Sequence, residues 1–572
     1  MKYAVDPIQP QSLTNPMAKF ASSLNTTPTR PVPFSQLQRA RSRSATSLVA
    51  QIPSPTPAVT TVMPHHHAQT DTVNAAGGKA FRKSPAFELL SLIFTTLLHA
   101  PQGKFYESEA QTLERLKVLV KHSPHFAAQA AVWARRVLGL RSISHAVAAL
   151  VCYYTKGKGE TWVKQFVESV IYRPDDALEI VAAYFAFFGG GKTIRKPGGK
   201  RGKKIPVTLP YPLKKGIAAA LSKLDGYRLA KYQKTGQAIS LVDLFNLVHP
   251  KPTPENAEAF RQFVRGELKN VDTWEARLSA AGSDPAKKSQ VWRELVAERK
   301  LGYFATLRNL RNILEQAPEV IPQVCTFITN PKAVENSLIL PFQFVRAYKE
   351  VLASGLAHSQ VVAGAIEEAV ALSCRNIPRL PGRTLVALDE SGSMGDVGTD
   401  RTPANIGSLF AAIVLKSQPG AHFMSFSSKA TYKPIRTNMS LFATLNDIRQ
   451  NWSAGSTNFH SIFEAATTGY DNIIILSDGE GWTFGGSWDS EAGAPTAARR
   501  QYEQRHKVLP FIVMFDLTGS RTMMFPEDSV AVLSGFSDKI FSLLTELRKN
   551  PSALVHEVTQ VDFRALNEAD DE

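Results

Sequence analysis

The stretch LVALDESGSM, Leu385–Met394, indicates how the second half of this 572-residue chain folds. Its first four residues are apolar and predict a buried strand, and Gly392 and the following Gly395 then provide backbone for a turn. Asp389, Ser391 and Ser393 follow the strand at alternate positions. Oxygen ligands of this kind suit Mg²⁺, and the carboxyl ends of strands are where open α/β sheets bind ligands. An ordinary Asx or Ser turn has the same letters, so the motif alone leaves both interpretations open.

Strand-like and helix-like segments alternate from Arg383 onward. The sequence predicts strands at Thr384–Leu388, Ala421–Ser425, Asn472–Leu476 and Val508–Phe515. It predicts helices at Ala404–Lys416, Leu441–Arg449, Phe459–Ala466, Ala497–Arg505 and Lys539–Lys549. This alternation is typical of a doubly wound, mostly parallel sheet, which we expect to occupy residues 377–565.

Two further segments of this α/β region supply oxygen ligands. Thr457 lies at the start of a predicted helix, and Asp478 follows a second apolar strand. Because parallel strands end on the same edge of a sheet, we expect these side chains to meet the first motif. The predicted Mg²⁺ ligands are Asp389, Ser391, Ser393, Thr457 and Asp478. No nucleophile–base pair accompanies them, so we expect no catalytic residues and no enzyme.

The charge of the chain indicates a polyanionic partner. Lys and Arg number 66 against 50 Asp and Glu, which gives a formal net charge of +16. Such an excess favours nucleic acid, with an untargeted basic protein as the alternative. Three scattered cysteines without a CxxC motif indicate reduced, buried thiols in a cytoplasmic protein. The sequence contains neither a bilayer-spanning apolar run nor a signal-peptide core, so we expect no membrane partner.

The first half of the chain divides by composition. Residues 1–78 are rich in Ser, Thr, Pro and Gln and carry no acid between Asp6 and Asp71. They predict a disordered basic tail, with an organelle transit peptide as the alternative. From 79 to 376, helical patterns separated by short breaks predict helix pairs stacked as a HEAT-like α-solenoid. Residues 566–572 are predicted to be an acidic tail.

The densest basic segment is Gly189–Lys204, GGGKTIRKPGGKRGKK, which contains no acid. A flexible loop of this kind pairs with phosphates, although an untargeted solvated loop remains the alternative. Its candidate RNA ligands are Lys192, Arg195, Lys196, Lys200, Arg201, Lys203 and Lys204. The overlapping run Ala186–Thr193 nearly fits a P-loop. Ala186 replaces the first glycine, however, and a helix rather than a strand is predicted before it.

A second basic segment, residues 209–252, is predicted to form short helices with Tyr227 and Tyr232 between the cations. Cations with interleaved aromatic rings suit irregular or single-stranded RNA, whose bases stack on such rings. The candidate RNA ligands here are Lys214, Lys215, Lys231, Lys234, His249 and Lys251. For His249, a capping role before Pro250 is the alternative.

The pattern LPxxLKKG, LSKxDxYxLAKY and LxHPKP in this segment resembles the TROVE domain of the Ro autoantigen family, and Ile171–Asp175 fits the same family. The Asp-x-Ser-x-Ser motif with Thr457 and Asp478 resembles the metal-ion-dependent adhesion site of von Willebrand factor A domains. A TROVE domain followed by an A domain is the order found in Ro proteins. The resemblance extends from about Phe81 to Leu547.

The resemblance implies an α + α/β fold, with a ring of HEAT-like helical repeats closed by the A domain. It implies a monomeric ribonucleoprotein scaffold that binds Y-like RNAs outside and misfolded non-coding RNA 3′ ends in its central hole. Lys231 and His249 match Y-RNA contacts of the family, whereas the family's arginine falls at Lys234 or Thr235. The resemblance also implies an exoribonuclease partner and a protein carboxylate on the metal. A protein-binding adaptor is the alternative function, and a P-loop or metal-dependent enzyme is a third.

Overall fold

The structure is a computed structural model. It describes residues 69–95, 109–189, 208–232, 239–268, 272–337, 339, 341–398, 402–450, 452–482, 495–527, 529–534, 544–550 and 553–570. The predicted fold class is confirmed, because a helical-repeat region precedes an α/β domain with a mixed, largely parallel sheet. No helix in the described ranges is long and apolar enough to cross a membrane.

A short β-hairpin precedes the helices. Its strands are β1, Thr72–Val73, and β2, Lys79–Arg82, and they pair antiparallel. Asn74 in the turn donates from Nδ2 to the carbonyl oxygen of Gly481 at 2.8 Å, so the hairpin packs on the α/β domain. The prediction of a disordered tail is therefore wrong for residues 72–78. Residues 1–68 lie outside the described part of the chain.

The helical region contains two series of helices. The first comprises α1 Pro85–Thr95, α2 Glu109–His122, α3 Pro124–Trp133, α4 Ser142–Tyr154, α5 Val163–Val170, α6 Pro174–Phe188, α7 Tyr211–Ser222, α8 Gly226–Tyr232, α9 Leu241–Val248 and α10 Ala257–Arg265. The second comprises α11 Trp274–Ala280, α12 Pro285–Ala297, α13 Tyr303–Arg308, α14 Leu310–Gln316, α15 Ile321–Ile328, α16 Pro331–Ser337, α17 Pro341–Ala353 and α18 Ser359–Ser373.

Helices of this region pack on helices one to four places away along the chain. In α7, Leu213, Ile217 and Leu221 recur at four-residue intervals and are fully buried, which gives the helix one apolar face. Gly216 lies on this face, and a Cβ there would collide with Val167 of α5. The close packing of α5 and α7 therefore requires glycine at position 216.

The α/β domain follows. Its elements are β3 Thr384–Asp389, α19 Pro403–Ser417, β4 His422–Phe426, β5 Ala430–Tyr432, α20 Leu441–Arg449, α21 His460–Ala465, β6 Asn472–Ser477, α22 Thr496–His506, β7 Phe511–Asp516, β8 Thr522–Met523 and β9 Ala531–Ser534. The main sheet has the order β5-β4-β3-β6-β7-β9, and only β5 runs antiparallel to its neighbour. Strands β3 and β6 are buried throughout, as their continuous apolar runs require.

Three C-terminal helices return to the start of the helical region. They are α23 Leu544–Lys549, α24 Ala553–Thr559 and α25 Phe563–Ala569. Helix α24 packs on α3 and α25 on α5. Asp570 pairs with buried Arg136 at 2.5 Å, and Leu566 and Asn567 are buried. The prediction of an acidic tail over 566–572 is therefore wrong up to Asp570, because the helix buries an apolar face.

The helical region contacts the α/β domain at both ends. At its start, β2 pairs with β8 and α1 packs on β9. The Nζ of Lys83 lies 2.7 Å from the Oδ2 of Asp516, and both side chains are buried. At its end, α18 packs on α20. The α/β domain thus joins the two ends of the helical array.

Candidate functional site

The sheet brings the two predicted metal-binding aspartates to one edge. Strand β3 lies between β4 and β6, and Leu388 pairs with both Ser425 and Leu476. Asp389 ends β3, and Asp478 directly follows β6, which runs parallel to it. Both carboxylates therefore lie at the carboxyl edge of the sheet, where ligands of open α/β sheets bind.

The turn after β3 brings the two serine hydroxyls together. The Oδ1 of Asp389 accepts a hydrogen bond from the backbone N–H of Ser391 at 2.8 Å. The Oγ atoms of Ser391 and Ser393 lie 3.1 Å apart. A 3₁₀ turn over Gly392–Met394 follows, and fully buried Met394 anchors it. The alternate spacing thus directs both hydroxyls to one place.

Thr457 joins this edge through two backbone contacts. It exchanges backbone hydrogen bonds with Trp482 at 2.7 and 2.9 Å, on the loop that follows Asp478. The neighbouring Gly455 accepts a hydrogen bond from the N–H of Gly392 at 3.1 Å. Helix α21 spans His460–Ala465, within one residue of the predicted Phe459–Ala466 at each end, so Thr457 lies just before the helix. The five predicted ligands nevertheless lie on adjoining loops.

The electrostatics of the two carboxylates suit a cation. Asp389 and Asp478 are fully buried. Burial and the neighbouring Asp478 raise the pKa of Asp389 to about 7. A divalent cation would offset this repulsion. No group of three or more His, Cys, Asp or Glu side chains in the described residues is placed to hold a metal, so hydroxyls would complete the ligand set. Two carboxylates and three hydroxyls suit a hard ion such as Mg²⁺.

The structure adds supporting residues that the sequence motif does not reveal. Ser477 donates from Oγ to the Oδ2 of Asp389 at 2.6 Å and so orients the carboxylate. Glu390, inside the motif, is fully buried and receives Lys433 Nζ at 2.6 Å. Glu480 accepts from the N–H of Ala76 in the N-terminal hairpin at 3.2 Å. Burial and Asp478 raise the pKa of Glu480 to about 8. The sequence contains one signal for Ser477 and Glu480, because both lie within two residues of the predicted ligand Asp478.

Three of the predicted RNA-binding lysines lie on two helices that follow each other in the chain. Lys214 and Lys215 are in the first turns of α7, and Lys231 is at the end of α8. The Nζ of Lys215 lies 5.5 Å from the ring centre of Tyr211, and that of Lys231 lies 5.9 Å from the ring centre of Tyr227. Both tyrosines are exposed. Each helix thus presents a cation next to an aromatic face that water reaches.

The loop containing His249 and Lys251 is tied to the end of α7. The N–H of Lys251 donates to Ser222 Oγ at 3.1 Å, and Asn256 Nδ2 donates to the carbonyl of Leu224 at 3.0 Å. His249 caps α9 in the left-handed region, at φ 52°, through its backbone N–H. Its imidazole stays exposed. The backbone therefore serves as a cap, and the side chain is available to a ligand.

The remaining candidate cations lie outside the described residues. They are Lys192, Arg195, Lys196, Lys200, Arg201, Lys203, Lys204 and Lys234. The preceding segment is described, and α6 continues as a helix to Phe188. The strand that a P-loop requires is therefore missing before Gly189, as the sequence predicted.

A buried ionic network lies at the start of α6, the helix on which α8 packs. Asp176 has no exposed side-chain surface and receives Arg135 at 2.8 Å, Arg141 at 3.3 Å and His145 at 3.0 Å. Burial alone would raise its pKa, but Arg135, His145 and Arg141 hold the pKa of Asp176 well below its usual value. Although burial opposes it, hydrogen bonds to Asp176 and Glu179 raise the pKa of His145. This network fixes the arginines that follow α3.

The fold and these sites define a class of protein: a helical-repeat array with exposed cations, joined at both ends to an α/β domain. Comparison with known proteins shows which families the chain is similar to. The TROVE domain family matches residues 259–362. The crystal structure of the Deinococcus radiodurans Ro (RSR) protein shares the fold, with a TM-score of 0.55, 20% sequence identity and coverage of 81% of this chain and 100% of that chain.

Two curated relatives agree. The RNA-binding protein RO60 of Deinococcus radiodurans is 26% identical over 359 residues, which are 54% of this chain and 65% of that protein. Telomerase protein component 1 of Mus musculus is 22% identical over 324 residues, which are 43% of this chain and only 12% of that protein. The chain thus spans less than two thirds of either relative. The matches confirm the predicted resemblance: residues 259–362 match the TROVE domain family, and the chain is similar to the Ro proteins in sequence and fold.

Proposed function

We propose that this protein is a non-enzymatic RNA-binding scaffold. It binds Y-like small non-coding RNAs through α7, α8 and the loop from His249 to Lys251. The observation that carries the proposal is the pairing of exposed tyrosines with lysines at Tyr211–Lys215 and Tyr227–Lys231. Such pairs offer a ring to an unpaired base and a charge to its phosphate. The name of the relative RO60, an RNA-binding protein, supports this assignment.

The biological setting follows from the same family resemblance. The protein acts in the quality control or processing of RNA, and it also engages the 3′ ends of misfolded RNAs. It does so in the cytoplasm, as a monomer, with an exoribonuclease as partner. The Gly189–Lys204 segment adds contacts to phosphates of any sequence.

The α/β domain serves as a von Willebrand factor A-like module with a Mg²⁺ site. Asp389, Ser391, Ser393, Thr457 and Asp478 would hold the ion, directly or through water. When bound, Mg²⁺ would supply a coordination position for an oxygen ligand. Ser477 and the backbone of Ser391 keep Asp389 oriented. Asp389 has no histidine or lysine among its hydrogen-bond partners in the described residues, which favours docking over catalysis.

Charge reversal tests the RNA surface. Lys231→Glu and Lys251→Glu are expected to weaken binding of a stem–loop RNA with a bulged stem, because Lys231 lies beside exposed Tyr227 and Lys251 is held at the end of α7. Lys332→Glu is the matched control, since it reverses an exposed lysine on distant α16. Lys200→Glu and Lys203→Glu should weaken all RNAs alike. Fluorescence anisotropy measures the affinities. Equal losses for Lys231→Glu and Lys332→Glu would contradict the assigned surface.

A protein-binding adaptor is the second candidate function. Gly392 and Gly455 are exposed beside the candidate ligands, and Ser393 is half-buried, so the edge of the sheet is open to a partner. A carboxylate of that partner would complete the Mg²⁺ coordination. Affinity capture with Mg²⁺ or EDTA, after nuclease treatment, separates the candidates. A partner that needs Mg²⁺ and survives nuclease supports the adaptor, whereas loss of all partners with nuclease supports the RNA scaffold.

A further inference from the structure

A cleft of about 500 Å³ lies between α8 and α10, next to the proposed RNA-binding cations. Its size is within the range of small-ligand sites, roughly 300–1,000 Å³. Its walls include Gly226, Tyr227, Ala230, Glu258, Gln262 and Glu267. The two helices thus leave room for a planar group of nucleobase size beside an exposed aromatic ring.

Small residues on α8 create the space. A Cβ at Gly226 would lie only 3.2 Å from the Cβ of Ala259, so the helices approach closely there. Ala230 lies one turn later on the same face and is buried. Because neither side chain projects far, space remains between the two helices.

Tyr227 provides the stacking surface. Its side chain is 53% exposed, although it lies in a folded helix and lines the cleft. Lys231 lies one turn away, with its Nζ 5.9 Å from the ring centre. A base stacked on the ring would bring its own phosphate within reach of this ammonium group, which is the combination that binds unpaired nucleotides.

The acids in the cleft decide which part of the nucleotide enters. Carboxylates repel phosphates, so this wall suits an edge that donates hydrogen bonds. Glu258 already accepts from Gln262 Nε2 at 3.0 Å and pairs with Arg261 at 2.6 Å. The carboxylate of Glu267 makes no hydrogen bond or ion pair with any residue that the structure describes. Glu267 is therefore the acceptor available to a ligand.

We propose that this cleft binds one unpaired guanine of the RNA, stacked on Tyr227 with its donor edge on Glu267. Guanine carries two adjacent donors, N1–H and the N2 amino group, which match the two oxygens of one carboxylate. Adenine and cytosine offer an amino donor beside an acceptor, and uracil offers one N–H between two acceptors. The inference rests on the proposed RNA-binding function and adds to it a preference for guanine.

The test uses the full chain and fluorescein-labelled oligouridine RNAs that carry one central guanosine, inosine or adenosine. The guanosine RNA is expected to bind roughly tenfold more tightly than the adenosine RNA, because a bidentate contact discriminates between bases by about that factor. Inosine, which lacks the N2 amino group, should fall between them. Glu267→Gln should abolish the preference without weakening adenosine RNA, whereas Glu255→Gln, a nearby exposed acid outside the cleft, should retain it.

Tyr227→Ala should weaken all three RNAs, and Tyr211→Ala, at the other exposed tyrosine–lysine pair, should leave the guanosine preference intact. Equal affinity of the wild-type protein for guanosine and adenosine RNA would overturn the guanine cleft while RNA binding stands. A preference that survives Glu267→Gln would also overturn it. Absence of binding to any RNA would overturn both this inference and the proposed function.

Discussion

Substitution of Asp176 by asparagine tests the buried network that supports the basic helices. The carboxylate has no exposed surface and receives two N–H groups of Arg135, one of Arg141 and one ring nitrogen of His145. It also accepts from the backbone N–H groups of Tyr172 and Arg173 at 3.0 and 2.8 Å. Asn keeps the shape but removes the charge and turns one acceptor into a donor that faces other donors.

The expected cost follows from the burial of the partners. Arg135 is 4% exposed and would remain charged without its main counter-ion. Removal of one partner of a buried ion pair costs about 3–5 kcal/mol. Urea denaturation followed by circular dichroism should show a much lower midpoint for Asp176→Asn. The control is Asp272→Asn, because Asp272 also holds an arginine through two hydrogen bonds but does so in solvent, where water screens the pair.

Similar midpoints for the Asp176→Asn and Asp272→Asn variants would refute this reasoning. They would show that the buried cations find other partners or water when Asp176 loses its charge. The sign of the pH dependence provides a further check. Because the pKa of Asp176 is lowered in the folded protein, its contribution is present above the usual value of 3.8 and is lost as the pH falls through the folded value.

Three further predictions concern His145, the metal site and the N-terminal hairpin. The raised pKa of His145 means that its stabilising contribution is complete below pH 6.5 and declines as pH rises through the folded value. The stability difference between wild type and His145→Gln should therefore shrink at high pH, and a constant difference in urea midpoints would contradict this. Mg²⁺ at about 100 times its Kd should raise the unfolding free energy by about 2.7 kcal/mol. Calorimetry should show no such gain in Asp389→Asn or Asp478→Asn, and a gain retained in both variants would rule out the site. Gly78→Ala places a Cβ against a backbone carbonyl of the α/β domain and should cost about 1–3 kcal/mol. Gly364→Ala, at an exposed position inside helix α18, meets no atom within 4 Å and should not destabilise the protein in the same thermal melts, so equal shifts would be a contrary result.

Sequence periodicity predicted the regular elements of the α/β domain well. The predicted helix Leu441–Arg449 has the same bounds in the structure, and the predicted strand Thr384–Leu388 is only one residue short. Both segments bury apolar residues, so local pattern and tertiary packing agree. The five candidate metal ligands were predicted for the same reason, since parallel strands place their ends together.

Features that depend on distant pairing could not be predicted. Strand β2 has four residues, and its partner β8 lies more than 400 residues away, with Phe81 opposite Met523. The contact of Thr457 with Trp482 is likewise a pairing of two loops that are far apart in local sequence pattern. Lys83 resembled a surface lysine by its neighbours, yet Asp516 pairs with it in the interior. Local composition contains no signal for these contacts.

The salt dependence of RNA binding tests the central claim most directly. Affinity for a stem–loop RNA with a single-stranded tail should fall steeply with salt, with a log–log slope of about 0.7–0.9 per neutralised phosphate. The double variant Lys231→Glu/Lys251→Glu should bind more weakly and lower that slope by about 2 if each lysine contacts one phosphate. A steep salt dependence of wild-type affinity, with a shallower slope in the variant, supports an RNA scaffold built on α7, α8 and the His249 loop. Weak wild-type binding that does not change with salt would contradict it.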